Sequence, residues 1–131
     1  MLALGLACEE SLPAPIRTTI VDITDGEAVD ALVNGLSTLD VVVNAAGIIR
    51  RDDEFDLDVF GRVVEVNLIG VMRVCKAAHA KLCASRGAII NIASMLSFFG
   101  GARTPDTAPA RAELCNLLAR WQLPGQMTAS A

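Results

Sequence analysis

Tyrosine is absent from the 131 residues, and lysine occurs only twice, at Lys76 and Lys81. A mechanism that needs a phenol as its acid or base is therefore excluded for this sequence. The one histidine, His79, falls in a long helical pattern, where a surface side chain is the ordinary interpretation. No cysteine forms a Cys-x-x-Cys pair, and we expect none at metal-ligand spacing from a histidine. We therefore predict no metal site and four reduced, buried thiols, at Cys8, Cys75, Cys83 and Cys115.

Positive charge is also scarce, since the net charge is −4 and the isoelectric point lies near 4.8. A chain without a basic patch is poorly suited to nucleic acid or to an anionic membrane surface. No apolar run approaches the roughly 18 residues of a membrane span, and no basic leader follows Met1. We predict a cytoplasmic protein whose partners are small molecules or proteins. Apolar residues make up 53% of the chain and charged residues 20%, which is typical of a globular domain.

Hydrophobic patterning predicts strands alternating with helices, the order of an open α/β sheet. A Thr24-x-x-Glu27 capping box is expected to start the first helix, which runs to about Gly35. Continuous β-branched residues in the third strand indicate that both of its faces are covered. The predicted strands are Met1–Leu6, Ile16–Val21, Leu39–Val43 and Gly87–Ile92, and the predicted long helix covers residues 56–84.

Ligands of such sheets bind beyond the carboxyl ends of the strands. The residues there are Asp22, the Asn44–Gly47 stretch and Ser94, and the small residues at 45–47 allow a ligand to approach the backbone closely. Taken singly, each has a plain structural interpretation as a helix cap, a tight turn or a loop hydroxyl.

In this order, these residues resemble the short-chain dehydrogenase/reductase family, which transfers hydride between NAD or NADP and an alcohol or carbonyl. Asp22-Ile23 resembles the acidic position near the adenine, and Asn44-Ala45-Ala46-Gly47 resembles the turn beside the cofactor. Asn67 matches the helix asparagine that anchors a proton-relay water, and Ser94 matches the serine that hydrogen-bonds the substrate oxygen. The resemblance implies catalytic roles for Asn67 and Ser94 and cofactor binding by the other six residues. A thinner likeness, in Gly47–Arg51 and Ala93–Gly101, is to members that act on sugar acids.

Two features of the family are missing from the sequence. No glycine-rich turn for the pyrophosphate is present, and neither is the Tyr-x-x-x-Lys pair that moves the proton. We therefore expect a partial Rossmann-type parallel sheet with flanking helices, lacking the first βα unit and the last strands. It is predicted to occupy residues 1–105, and 106–131 are predicted to be a tail foreign to the family. In the strand order 3-2-1-4-5-6, the missing strand is central, so the others are not expected to rebuild one sheet.

The genetic code offers an explanation of the tail. Asp106–Arg111 can be encoded GAT ACA GCG CCA GCA AGG, and reading two bases on gives Tyr-Ser-Ala-Ser-Lys. Continuing the shift allows a further family-like helix and strand. Our hypothesis is that the chain from near Thr104 onward is an out-of-frame translation of a dehydrogenase gene.

Two functions follow from the resemblance. One is an NAD(P)-dependent oxidoreductase of small alcohols or carbonyls, expected to be inactive as this chain and able to form a homo-oligomer. The other is a non-catalytic fragment that pairs with an intact relative through the helix at 56–84. The residues do not distinguish NAD from NADP as the cofactor.

Overall fold

The structure is a computed structural model that describes residues 1–6, 14–50, 53 and 55–94. Its strands are β1 (Leu2–Gly5), β2 (Arg17–Ile20), β3 (Val41–Asn44) and β4 (Ala88–Asn91). Its helices are α1 (Gly26–Asn34), α2 (Leu57–Val64), a π-helical turn (Glu65–Gly70) and α3 (Val71–Ser85). The predicted tail, the thiols of Cys8 and Cys115 and part of the charged loop before α2 lie outside the described residues.

The four strands form two parallel pairs. Strand β1 pairs with β2, with Leu2 opposite Arg17, and β3 pairs with β4, with Val41 opposite Ala88. The α/β class and the parallel pairing are confirmed. Among the described residues each pair stays a separate two-stranded sheet, as expected for strands that do not rebuild one sheet by themselves.

Helix α1 begins one residue later than the capping box predicts. The N-cap is Asp25, whose side chain accepts a hydrogen bond from the Ala28 amide at 3.0 Å. The prediction of a Thr24 cap is wrong because the Thr24 hydroxyl instead donates to Asp22 Oδ1 at 2.8 Å. Both residue types cap helices well, so the sequence pattern alone does not separate them.

One long helical segment, Leu57–Ser85, accounts for the predicted helix. Asp56 caps its start by accepting hydrogen bonds from the amides of Asp58 and Val59, and Arg86, with φ at 55°, ends it in the left-handed region. The π-helical turn in its middle was not predicted. Such turns insert an extra residue into the helical ladder, and they are frequent at functional sites.

The core lies between this long helix and the strands. Ala78 and Leu82 pack against Val42 and Ile89, so α3 covers one face of the β3–β4 pair. The prediction that β3 is covered on both faces is wrong for the part of the chain described, since Val41 and Val43 are 51% and 57% exposed. Their side chains alternate with that of Val42 and so lie on the face opposite α3.

Two glycines of the long helix give a matched test of this packing. A Cβ on Gly70 would lie 2.8 Å from Ile23 Cγ1 and 3.2 Å from the Ile23 carbonyl oxygen, whereas a Cβ on Gly61 meets nothing within 4 Å. We expect Gly70→Ala to destabilise the chain by about 1–3 kcal/mol through overpacking. Gly61→Ala is expected to stabilise it by up to about 1 kcal/mol through helix propensity. Urea unfolding of both variants measures the difference, and equal effects would contradict the close contact between Ile23 and the π-helical turn.

Candidate functional site

The predicted site residues follow strands that run in the same direction. Asn44 ends β3 opposite Asn91, which ends β4, and the Ile92 amide donates to the Asn44 carbonyl at 2.9 Å. The backbone therefore leaves both strands at the same edge of this two-stranded sheet. The Ala45–Gly47 turn continues from β3 there, and Ser94 follows β4 by three residues. That both positions belong to one site at the ends of the strands stays a prediction.

Asn67 joins the turn after β3 to the middle of the long helix. Its side chain is fully buried within the π-helical turn. Its Oδ1 accepts a hydrogen bond from the Ile48 amide at 2.8 Å, and its Nδ2 donates to the Ile48 carbonyl at 2.8 Å. A primary amide satisfies both groups of one peptide residue in this way, so Asn67 fixes the backbone immediately after Gly47. We call this pair of bonds the Asn67–Ile48 clamp.

A second buried amide ties the two strands to the helix. Asn44 is 7% exposed, and its Nδ2 donates to Asn91 Oδ1 at 2.8 Å and contacts Cys75 Sγ at 3.3 Å. Burial raises the pKa of the Cys75 thiol, while its hydrogen bond with Asn44 acts in the opposite direction. Cys75 is therefore a neutral packing partner here, as predicted for a buried reduced thiol. The prediction of burial is wrong for Cys83, which is only half-buried.

The sequence patterns did not predict Asn91 as a site residue, nor the contact of Cys75 with Asn44. The sequence does carry a signal for Asn91, because it interrupts the apolar run Ile89–Ile92. A polar side chain in a strand that packs under a helix needs a partner. Nothing comparable marks Cys75, which fits an apolar helix stripe without further explanation.

Asp22 lies at the end of β2 with its carboxylate oriented by the following turn. Asp22 Oδ1 accepts hydrogen bonds from the Thr24 amide at 2.9 Å and the Thr24 hydroxyl at 2.8 Å, and Oδ2 lies 3.9 Å from Arg62. The neighbouring Ile23 faces inward and packs against Val71 and Cys75. Asp22 is thus presented at the surface while Ile23 anchors it.

These contacts predict an ordered set of pKa changes. The Thr24 amide and then the Thr24 hydroxyl hold the pKa of Asp22 below its ordinary value, and Arg62 adds a smaller effect in the same direction. Burial opposes them, with an effect smaller than that of either Thr24 bond and larger than that of Arg62. We expect Thr24→Val to raise this pKa part of the way and Arg62→Gln to raise it less. Carboxyl-carbon NMR titration measures both shifts, and a larger shift for Arg62→Gln would contradict the geometry.

The sign of the accompanying stability change follows from the direction of the shift. Because the folded-state pKa is lowered, the ionised carboxylate stabilises the folded chain above the unfolded value of about 3.9. That contribution is lost as the pH falls through the folded-state pKa. We expect the acid-induced loss of stability in this range to be smaller in Asp22→Asn.

The turn between β3 and the clamp is exposed to solvent. Ala45, Ala46 and Gly47 are exposed and carry no side chain beyond a methyl group, whereas Ser94 is half-buried. No group of three or more histidine, cysteine, aspartate or glutamate side chains that could hold a metal occurs among the residues described. Within that same part of the chain, no helix is long and apolar enough to cross a membrane.

The sequence of the chain is similar to a known protein family and to individual enzymes. The family model for short chain dehydrogenases matches residues 6–120. Trans-4-hydroxycyclohexanecarboxylate dehydrogenase of Sinomonas cyclohexanicum is 37% identical over 111 residues, which cover 73% of this chain and 43% of that protein. 2-Dehydro-3-deoxy-D-gluconate 5-dehydrogenase of Escherichia coli (strain K12) is 42% identical over 81 residues, covering 59% of this chain and 32% of that protein.

A solved structure shares the fold. Aldohexose dehydrogenase of Thermoplasma acidophilum, in its ligand-free form, superposes with a TM-score of 0.83 over 90% of this chain and 48% of that chain, at 21% identity. The chain spans less than half the length of these relatives. The matched family model and the parallel strand pairs agree, and the chain belongs to the short-chain dehydrogenase family.

Proposed function

We propose that the chain carries the middle portion of an NAD(P)-dependent oxidoreductase site for a small alcohol or carbonyl compound. The Asn67–Ile48 clamp is the observation that supports this most strongly, because a buried asparagine inside a π-helical turn is costly unless its position is needed. The clamp holds the exposed Ala45–Gly47 backbone beside the edge from which Ser94 emerges.

The residues present fit parts of a dinucleotide. The ionised Asp22 carboxylate is a suitable acceptor for hydroxyl groups near the adenosine, with Ile23 fixing its position. Asn44 and the small residues at 45–47 leave the backbone accessible for close approach. The pyrophosphate has no glycine-rich turn in the printed sequence. When bound, the dinucleotide would supply the hydride donor or acceptor.

The roles of this chain's residues in the reaction are those of positioning and hydrogen bonding. The Ser94 hydroxyl is proposed to hydrogen-bond the substrate oxygen, and Asn67 to anchor a proton-relay water. Neither the Ser94 hydroxyl nor the Asn67 amide replaces a phenol as general acid, and no tyrosine occurs in the 131 residues. Loss of the general acid alone costs on the order of 10²–10⁴-fold in rate. We propose that the 131-residue chain is inactive. In the active protein, the coding sequence of the tail is translated in the shifted frame.

The substrate class is proposed from the chain's thin likeness to sugar-acid enzymes and from its relatives' names. One relative is named for a hydroxycyclohexanecarboxylate and the other for a dehydrodeoxygluconate, both carboxylates of small molecules. We propose a small hydroxy or oxo acid as the substrate.

The test compares the printed chain with a version in which the frame is shifted from Thr104 and the upstream coding region is restored. We expect NAD(P)H binding and oxidation of hydroxy acids in the restored protein only, and a loss of about 10²-fold or more in kcat for its Ser94→Ala variant. Fluorescence titration and absorbance of the reduced nicotinamide measure the two properties. Cofactor-dependent turnover by the printed chain would contradict the proposed inactivity.

The second candidate is a non-catalytic fragment that pairs with an intact relative. Large apolar side chains exposed along the first half of the long helix favour it, namely Leu57, Phe60 and Ile69. Burying such side chains against a partner stabilises an interface. A stable complex with a full-length family member on size-exclusion chromatography, without cofactor binding by the printed chain, would favour this candidate.

A further inference from the structure

An ion pair between Glu65 and Arg73 spans the π-helical turn. Glu65 is the first residue of that turn, and Arg73 follows eight residues later, in the first turn of α3. Arg73 Nη1 donates a hydrogen bond to Glu65 Oε1. The two side chains are 31% and 32% exposed, so solvent screens their attraction less than that of a fully exposed pair.

The π-helical turn brings these two side chains toward one face of the helix. In a regular α-helix, residues eight apart are about 80° apart around the axis and about 12 Å apart along it. The hydrogen bonds of a π-helix reach five residues back rather than four, so each residue turns less around the axis. The π-helical turn therefore reduces the angle between Glu65 and Arg73. Helical side chains also lean toward the N-terminus, which directs Arg73 back toward Glu65.

Packing against α1 holds Arg73 in this orientation. A Cβ on Gly26, the first residue of α1, would lie 3.8 Å from Arg73 Cδ and 3.9 Å from Arg73 Nε. The stem of Arg73 therefore lies over the start of α1 while its charged end reaches Glu65. Because the stem is already packed, less side-chain freedom is lost when the ion pair forms.

The ion pair and the π-helical turn stabilise each other. π-Helical turns are rare, so the α-helical form is the ordinary alternative for this segment. Rewinding the turn into a regular α-helix would rotate Arg73 away from Glu65, and it would also rotate Asn67, which lies between them. An interaction that forms in only one of two conformations shifts the equilibrium toward that conformation.

We propose that Glu65 and Arg73 are positioning residues, whose ion pair holds the long helix in its π-helical form and so sets the Asn67–Ile48 clamp. They act on the candidate site through Asn67 and not by contact with a ligand. This inference rests on the proposed function, because the site that the clamp positions is that of the proposed oxidoreductase.

The test is amide hydrogen exchange, measured by NMR on the 131-residue chain without cofactor or substrate. The Ile48 amide reports on the clamp, because it donates to Asn67 Oδ1. The Ala88 amide donates to the Asp40 carbonyl at 2.9 Å and reports on the β3–β4 pair. Local opening of the clamp speeds exchange at the first amide alone, whereas a general loss of stability speeds exchange at both.

Loss of either charge is expected to loosen the clamp selectively. We expect Glu65→Gln and Arg73→Met each to speed exchange of the Ile48 amide by about three- to fivefold, as for the loss of a partly exposed ion pair. The Ala88 amide should exchange at the rate of the unmodified chain. The double variant should exchange Ile48 no faster than either single variant, since each change alone already removes the ion pair.

Two matched variants separate the ion pair from other effects of the substitutions. Arg73→Lys keeps the positive charge and most of the stem, so it should keep the slow exchange of the Ile48 amide. Lys76→Met removes a positive charge from an exposed position on the same helix, beyond the π-helical turn, and should leave Ile48 exchange unchanged.

Three results would overturn the proposal. They are unchanged exchange of Ile48 in both charge-removing variants, equal acceleration at Ile48 and Ala88, and the same acceleration of Ile48 in Lys76→Met. Because the measurement uses neither cofactor nor substrate, its outcome does not depend on whether the restored protein oxidises hydroxy acids. Failure of the proposed function and failure of this inference are therefore distinguishable.

Discussion

Replacing Asn67 by aspartate is expected to destabilise the folded chain by about 3–5 kcal/mol at neutral pH. The substitution changes few atoms, but it replaces the donor of the Asn67–Ile48 clamp with an oxygen. That oxygen then faces the Ile48 carbonyl, which Asn67 Nδ2 now reaches at 2.8 Å. It also introduces a negative charge at a position that is fully buried. The change therefore combines a lost hydrogen bond with an unpaired buried charge.

The effect should depend on pH in a defined direction. Burial disfavours the ionised form, so the new carboxyl has a raised pKa in the folded chain. The penalty is then small at low pH and grows as the pH rises above the unfolded value of about 3.9. Urea unfolding between pH 4 and pH 8, chosen as roughly spanning the ionisation of an ordinary carboxyl group, measures the trend.

A neutral variant and a surface variant separate the causes. Asn67→Leu removes both clamp bonds without adding charge, and we expect a loss of about 2–4 kcal/mol that does not change with pH. Asn34→Asp makes the same chemical change at the exposed end of α1 and should cost less than about 1 kcal/mol. A pH-independent loss for Asn67→Asp, or a loss no larger than that of Asn34→Asp, would show that Asn67 is not clamped in the core.

The hydrogen-bonded pair of Asn44, which is buried, and Asn91, which is half-buried, is expected to show strong energetic coupling. Replacing Asn44 by leucine leaves Asn91 Oδ1 without its 2.8 Å donor, and replacing Asn91 leaves Asn44 Nδ2 with only the Cys75 sulfur. Each single change should cost about 1–3 kcal/mol. The double variant should cost roughly 1 kcal/mol less than the two single changes added together. In the double variant both amides are absent, so no polar group of the pair is left without its partner.

A double-mutant cycle in urea measures this coupling free energy. Asn34→Leu, paired with Asn91→Leu, provides the control, because Asn34 is exposed and makes no contact with Asn91 that the structure describes. Additive effects for the Asn44 and Asn91 changes would contradict the role of this pair in holding β3 and β4 in register at the site.

Much of the fold could be predicted from sequence because it depends on local pattern. A short apolar run located β1, β-branched runs located the other three described strands, and the three- to four-residue apolar spacing located α1 and the long helix within a few residues. The exposure of Val41 and Val43 could not be predicted in the same way. Composition shows that a strand is suited to burial on both faces, but it does not show which elements cover it.

The site was predictable as a set of residues and not as a set of contacts. Asn67 is conspicuous because asparagine is a poor helix former, yet its partner is a peptide group 19 residues away. No side-chain pattern marks a backbone partner, so the clamp and the π-helical turn emerged only from the fold. The start of α1 was mispredicted for the same reason on a local scale. The Thr24 hydroxyl donates to the Asp22 carboxylate, a partner that the capping-box pattern does not show, and Asp25 caps the helix instead.

The tail remains a prediction from codon arithmetic. Its proposed boundary after residue 105 and its shifted frame lie outside the described residues, and the family match continues to residue 120, beyond that boundary. A missing proton donor and a missing pyrophosphate turn are the chemical reasons for treating the printed chain as part of a site.

Sequencing the gene with several hundred bases on each side tests that claim most directly. We predict a glycine-rich turn encoded upstream of Met1 and, two bases out of the printed frame from Asp106, codons for Tyr-Ser-Ala-Ser-Lys. An unbroken frame as printed, with no glycine-rich turn upstream and no tyrosine–lysine pair in the shifted frame, would contradict it. The chain would then be a small protein of this family that works without the family's proton donor.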